Sequence, residues 1–176
     1  ETTSVATLGL LSRRDMDRPS DERHALIARQ GKPVSGIEIK VVDENGQTLP
    51  RDDRAQGELM VRGHWIMERY YKADTTALVD GWFPTGDIAT ISADGVMTIR
   101  DRTKDVIKSG GEWISSVDLE NAAVGHPGVA MAAVIGVPHP KWDERPLLFV
   151  VPKPGQTVDT QDILAFLAER VAKWWV

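Results

Sequence analysis

A chain of 176 residues with 41% hydrophobic content carries enough apolar material for one core or two small ones, since domains run to about 100–200 residues. A formal net charge of −5, with acids and bases interspersed, offers no cationic stripe for a phosphate backbone, so nucleic acid is not an expected partner. Zero cysteines exclude disulfides, thiolate catalysis and cysteine-bound zinc, and the four histidines, His24, His64, His126 and His139, are too scattered for a ligand motif.

No apolar run reaches the roughly 18 residues needed to cross a bilayer, and no basic-then-apolar leader opens the chain. A soluble, cytoplasmic protein is expected, with peripheral membrane contact and a homodimer left open. Both ends read as cut, since Glu1 stands where an initiator Met would and the chain stops on the apolar Trp174-Trp175-Val176. In chain order, Ser20 with Asp21 and Glu22 marks a helix start, and Gly31 with Pro33 ends that helix near Gln30. Ile37, Ile39 and Val41 then alternate with Glu38 and Lys40, and Leu59 and Val61 alternate with Glu58, Met60 and Arg62. This period of two predicts antiparallel strands from Ile37 to Ile99, the last two joined at Ala93-Asp94-Gly95. Trp65 and Trp82 fall in this strand-rich stretch and are expected in core or subdomain contacts.

The pattern changes after Lys108. Ser115 or Ser116 caps a helix with the apolar stripe Leu119, Ala122 and Ala123, and Gly125-His126-Pro127-Gly128 stops it. Val129 to Val137 and Pro146 to Val151 are continuous apolar runs, as expected of strands covered on both faces. Asp159 caps a last helix with Ile163, Leu164, Leu167 and Val171 on one side. Helix, strand, strand, helix describes a compact α+β module, and the boundary falls near Ile99 to Asp101, where strand pattern gives way to charge.

The densest chemistry lies from Asp101 to Ser116, DRTKDVIKSGGEWISS. Such a density suits a nucleotide, whose phosphate oxygens need cations and whose ribose must be fixed, and a moving joint. Asp87, behind Gly86, can accept both ribose hydroxyls, although Thr85-Gly86-Asp87 also reads as an ordinary turn. Arg102, Lys104 and Lys108 are evenly spaced and would share one face of an extended segment, meeting one anion or forming a solvated edge. Gly110-Gly111 is either a plain turn or a loop that lets a ligand approach the backbone.

The spacing of Thr85-Gly86-Asp87, Asp101-Arg102-Thr103-Lys104-Asp105, Lys108, Gly110-Gly111-Glu112-Trp113 and the Ser-Ser helix start resembles the medium- and long-chain fatty acyl-CoA synthetases of the adenylate-forming superfamily. His139-Pro140-Lys141-Trp142-Asp143-Glu144-Arg145-Pro146 is similar to the same subgroup. The resemblance implies an α+β fold in which residues 1–100 are the antiparallel, strand-rich end of a large AMP-binding domain. Residues 101–176 are then a hinge and a small mobile C-terminal domain, incomplete before its adenylation lysine. It further implies that Glu1 is the magnesium-binding acid, that Asp87 and Arg102 hold the ribose, and that Asp101 is the hinge. Lys104 and Lys108 are the implied catalytic cations, approaching the adenylate with Trp113. The loop Ser109, Gly110, Gly111, Glu112 and Trp113 serves the CoA site. ATP or AMP, Mg²⁺, CoA and a fatty acid follow as ligands of the whole enzyme, and the fragment alone is expected to be inactive.

Two positions depart from the family pattern, Pro84 where Arg is common and Arg69 where Gly is usual. An aryl- or amino-acid-adenylating domain that loads a carrier protein is the alternative within the superfamily, and its acyl pocket would discriminate it. A noncatalytic anion-binding module, using Arg102, Lys104 and Lys108 without nucleotide preference, is the alternative outside it.

Overall fold

Alternation of apolar and charged residues after Gly36 becomes a four-stranded antiparallel meander in the computed structural model, which describes residues 5–176. The chain divides into two compact units, Glu1–Thr103 and Lys104–Val176. The fold is α+β, with three helices and antiparallel sheets among the described residues.

In the first unit, β1 (Thr7–Leu8) pairs with β2 (Lys32–Pro33), and α1 (Ser20–Ile27) lies between them in sequence. Strands β3 (Ile37–Val42), β4 (Gly57–Gly63), β5 (Phe83–Ile91) and β6 (Met97–Arg102) follow in sheet order. The period of two puts Ile37, Ile39, Val41, Leu59 and Val61 into one core with Phe83, Ile91 and Met97. Each such side chain stabilises the fold by about 1.5–3 kcal/mol on burial. Glu38, Lys40 and Arg62 take alternate positions, and there Arg62 donates to Glu38 at 2.7 Å.

Helix α1 begins at the expected Ser20 and ends earlier than expected. Ser20 is its first helical residue, and Pro19 occupies the N-cap without any side-chain hydrogen bond. At the other end the helix stops at Ile27 because the next residues are captured by the sheet edge. The Gln30 N–H donates to Met97 O at 3.1 Å, and Gln30 Oε1 accepts from the Ile99 N–H at 2.6 Å. Gly31 then sits at φ +83°, where a Cβ would lie only 2.1 Å from Leu8 O. Trp65 and Trp82 are not core residues either. Trp65 is 48% exposed over Gly36, and Trp82 is flanked by the Lys40 ammonium and Arg62 guanidinium at 4.6 and 4.5 Å.

The second unit contains β7 (Ile107–Ser109), β8 (Glu112–Ile114), α2 (Ser116–Val124), β9 (Val129–His139), β10 (Asp143–Pro152) and α3 (Thr160–Ala168), with sheet order β8-β7-β10-β9. Both expected caps are in place. Ser115 Oγ accepts from the Asp118 N–H at 3.1 Å, and the Asp159 carboxylate accepts from the Gln161 N–H at 2.8 Å. Because Ser115 is fully buried, Ser115→Ala is expected to lower the unfolding free energy of the chain by about 1–2 kcal/mol in denaturant titration. No measurable change would contradict the cap.

Helices α2 and α3 pack through Leu119, Ala123, Ile163 and Leu167 onto the inward face of β9 and β10, around Val129 and Val134. Leu164, expected on that apolar side, is 36% exposed. His126 Nδ1 accepts from the Gly128 N–H, and its Nε2 lies 3.0 Å from the Asp162 carboxylate, tying the end of α2 to α3. The expectation of strands covered on both faces is overturned. Met131, Ile135, Leu147, Phe149 and Val151 are all more than 40% exposed, because both helices lie on one face.

Candidate active site

The Thr85-Gly86-Asp87 triplet lies within β5, where local chemistry turns the Asp87 carboxylate toward β6. Gly86 takes φ +74° with open space around it, and its carbonyl accepts from the Thr103 N–H at 2.9 Å. Thr85 Oγ1 donates to Leu59 O at 3.1 Å and accepts from the Asp87 N–H at 3.2 Å. The triplet is therefore tied to β4 on one side and to the end of β6 on the other. Asp87 stands opposite Arg102 in the register, and Arg102 Nη1 lies 3.2 Å from Asp87 Oδ1.

Asp87 and Arg102 line one open cavity of about 780 Å³, together with Tyr70, Phe83, Pro84 and Ile99. The Asp87 side chain is 21% exposed and that of Arg102 61%, so the pair is accessible. A carboxylate has about four lone-pair sites and a guanidinium five donors, which leaves both able to bind a polyol while paired. Asp101 is adjacent but faces inward. It is 3% exposed, and its Oδ1 accepts from the Arg102 N–H at 2.7 Å.

The second group of expected residues belongs to the other unit. Arg102, Lys104 and Lys108 do not share a strand face, because residues 103–106 form a turn and bend between β6 and β7. Even spacing has no meaning across a turn. Lys104 is exposed in that turn. Lys108 is exposed in β7 between the buried Ile107 and Ser109, and it stands opposite Trp113 of β8 with its ammonium 5.9 Å from the indole centroid.

Gly110 and Gly111 form the two-residue link of the β7–β8 hairpin, at φ +62° and +85°. Left-handed geometry at both positions is the turn that matches the twist of paired strands, and glycine adopts it without strain. A Cβ on Gly110 would also meet the Trp142 ring at 2.9 Å, whereas one on Gly111 meets open space. Gly110→Ala is therefore expected to cost about 2 kcal/mol and Gly111→Ala about 1 kcal/mol by chemical denaturation. Equal costs would show that the Trp142 contact contributes nothing.

Ser109 does not present its hydroxyl to the open side of the loop. It is 4% exposed and its Oγ accepts from Arg145 Nη1 at 3.3 Å. Glu112 is exposed and Trp113 half-buried. Glu1, the expected magnesium residue, lies outside the described residues, and among those residues no three His, Asp or Glu side chains gather into a metal-binding group. The residues around Trp142 and Glu144 received no role from sequence, although an aromatic and an acid between two apolar runs was the available signal.

Comparison with known proteins matches residues 1–71 to the AMP-binding enzyme family model and residues 118–176 to the AMP-binding enzyme C-terminal domain. The 3-methylmercaptopropionyl-CoA ligase of Ruegeria pomeroyi is 59% identical over 90% of this chain and 30% of its own length. The medium-chain-fatty-acid–CoA ligase of Ectopseudomonas oleovorans is 49% identical over 92% of this chain and 30% of its own. Among solved structures, the o-succinylbenzoate CoA synthetase of Bacillus subtilis in complex with its acyl-adenylate intermediate superposes with a TM-score of 0.75 at 30% identity, over 89% of this chain and 32% of that one. The chain thus spans about a third of the length of the relatives it matches.

Proposed function

We propose that this chain, which belongs to the adenylate-forming AMP-binding enzyme family of acyl-CoA synthetases, serves in an acid–CoA ligase that joins an aliphatic carboxylic acid to CoA through an acyl-adenylate. The observation that carries the reading is the Asp87–Arg102 pair, set by strand register in the lining of one cavity. Relatives named for 3-methylmercaptopropionate and for medium-chain fatty acids support an aliphatic acid of the fatty acid type.

In the first half-reaction an oxygen of the substrate carboxylate bonds to the α-phosphorus of ATP and pyrophosphate leaves. Asp87 accepts the ribose hydroxyl protons as hydrogen bonds, and Arg102 holds both the carboxylate and the ribose edge. The nucleotide is thereby oriented for in-line attack. Magnesium, held by residues including Glu1, would neutralise phosphate charge.

In the second half-reaction the CoA sulfur bonds to the acyl carbon, the carbon–oxygen bond to phosphate breaks, and AMP leaves. Lys104 and Lys108 stabilise the charge that builds on the phosphate and acyl oxygens. The Gly110-Gly111 turn lets the pantetheine approach the backbone, beside Trp113. Exchange of groups between the steps follows from rotation about Asp101. We place the enzyme in the cytoplasm, with which a cysteine-free chain is compatible.

The reading is tested on the ligase containing this chain, with a panel of aliphatic, aryl and amino acids. Medium-length aliphatic acids are expected to give the fastest CoA-dependent AMP release. Preference for an amino acid, with no thioester to free CoA, would transfer the chain to the carrier-loading class.

A further inference from the structure

The β7 side of the β7–β8 hairpin is held by Trp142, which precedes β10, and by Glu144 and Arg145 at the start of β10. Lys108 and Trp113 face each other across the hairpin, and the Lys108 N–H bonds outward, toward β10. A strand carbonyl would ordinarily accept it. Instead the Glu144 carboxylate does so, with Oε2 at 2.9 Å. Arg145 Nη1 reaches Ser109 Oγ at 3.3 Å and the Trp174 carbonyl at 2.8 Å. The Trp142 carbonyl accepts from the Gly110 N–H at 2.8 Å, and the Trp142 indole lies against Gly110.

A strained backbone makes this grip possible. Asp143 adopts φ +71°, and the Trp142 carbonyl also accepts from the Glu144 N–H at 2.9 Å. That is a γ-turn of the rare positive-φ kind, which an L-residue holds at a cost of about 1–3 kcal/mol. Through this turn β10 meets β7 at the single pair Asp143↔Ser109. A second accommodation is Gly136, where a Cβ would lie 2.9 Å from Glu144 Oε2. The bare position on β9 leaves room for the carboxylate to reach Lys108.

We propose that Glu144, assisted by the Trp142 carbonyl and Arg145, is a positioning residue that fixes the main chain of Lys108 to Gly110, so that the Lys108 ammonium and the glycine turn meet the CoA thiol step as one preset unit. This rests on the ligase reading above. Glu144 touches no reacting atom in this role. It acts through the Lys108 amide, so its effect belongs to the step that uses the loop.

The test has two arms. In the 176-residue chain, amide hydrogen exchange at Lys108 is expected to accelerate by about ten-fold in Glu144→Ala, and to stay near the wild-type rate in Glu144→Gln, which keeps an acceptor oxygen. Unchanged Lys108 exchange in Glu144→Ala would overturn the positioning role, whatever the enzyme does. In the ligase containing this chain, thioester formation is expected to fall about ten-fold further than pyrophosphate exchange in Glu144→Ala, with a raised KM for CoA and recovery in Glu144→Gln. Gly136→Ala, which crowds Glu144 without removing it, is expected to mimic Glu144→Ala. Equal losses in both half-reactions, or no rescue by Gln, would overturn the inference. A wild-type enzyme that forms no adenylate would instead overturn the ligase reading, and the exchange arm still decides the role of Glu144.

Discussion

Asp87→Ala in the ligase is expected to lower ATP–pyrophosphate exchange by about a hundred-fold or more while leaving the stability of the chain nearly unchanged. Two hydrogen bonds from ribose to an ionised acceptor contribute about 1.5–3 kcal/mol each, and about 1.4 kcal/mol is a factor of ten in rate. The loss exceeds what the Asp87–Arg102 pair contributes to folding. Arg102 is 61% exposed, and an exposed ion pair is worth about 0–1 kcal/mol. Asp87→Asn keeps one acceptor oxygen and is expected to fall between the two. A variant that loses activity only in proportion to a lowered unfolding midpoint would make Asp87 a structural residue and remove the ribose role.

The second large effect concerns the junction. Asp101 lies in β6 opposite Ile88, two residues before the first unit ends at Thr103. Its carboxylate already binds the following N–H, which makes it a buried local anchor within the first unit. Asp101→Pro fixes φ near about −65° and removes one N–H donor, stiffening the segment through which any rotation must pass. In the ligase, thioester formation is expected to drop by about a hundred-fold, with pyrophosphate exchange held to a loss several-fold smaller. Equal loss of both rates in a folded variant would count against a hinge at this residue.

Much of the architecture was legible because period-two alternation is strong in Ile37–Val42 and Gly57–Gly63, and because Ser115 and Asp159 are good caps. What escaped has physical reasons. The β7 and β8 strands are three residues each, too short for a period to register amid so much charge. Their link, Gly110-Gly111, fits a hairpin turn and a flexible loop equally well in sequence. Sequence carries α1 on to Gln30, whereas the sheet edge, through Gln30, competes with the helix for its last residues.

Continuous apolar runs predicted two covered faces for β9 and β10, yet periodicity cannot count how many helices a module has to lay over them. In the candidate site, Asp87 and Arg102 were found as separate motifs, and their register pairing is a property of the sheet. Ser109, a loop residue by sequence, is an inward anchor at the end of β7. Glu144 had no legible role, since its partner is a main-chain N–H distant in sequence.

The most direct test of the account follows a carboxylate oxygen. The ligase containing this chain is given ATP, CoA and an aliphatic acid labelled with heavy oxygen in its carboxylate, and the nucleotide products are weighed by mass spectrometry. Attack on the α-phosphorus, followed by thiolysis at the acyl carbon, predicts one heavy oxygen in AMP and none in pyrophosphate. Heavy oxygen recovered in inorganic phosphate, with ADP as the nucleotide product, would mean an acyl phosphate and would contradict the adenylate on which the roles of Asp87, Arg102 and Lys108 depend.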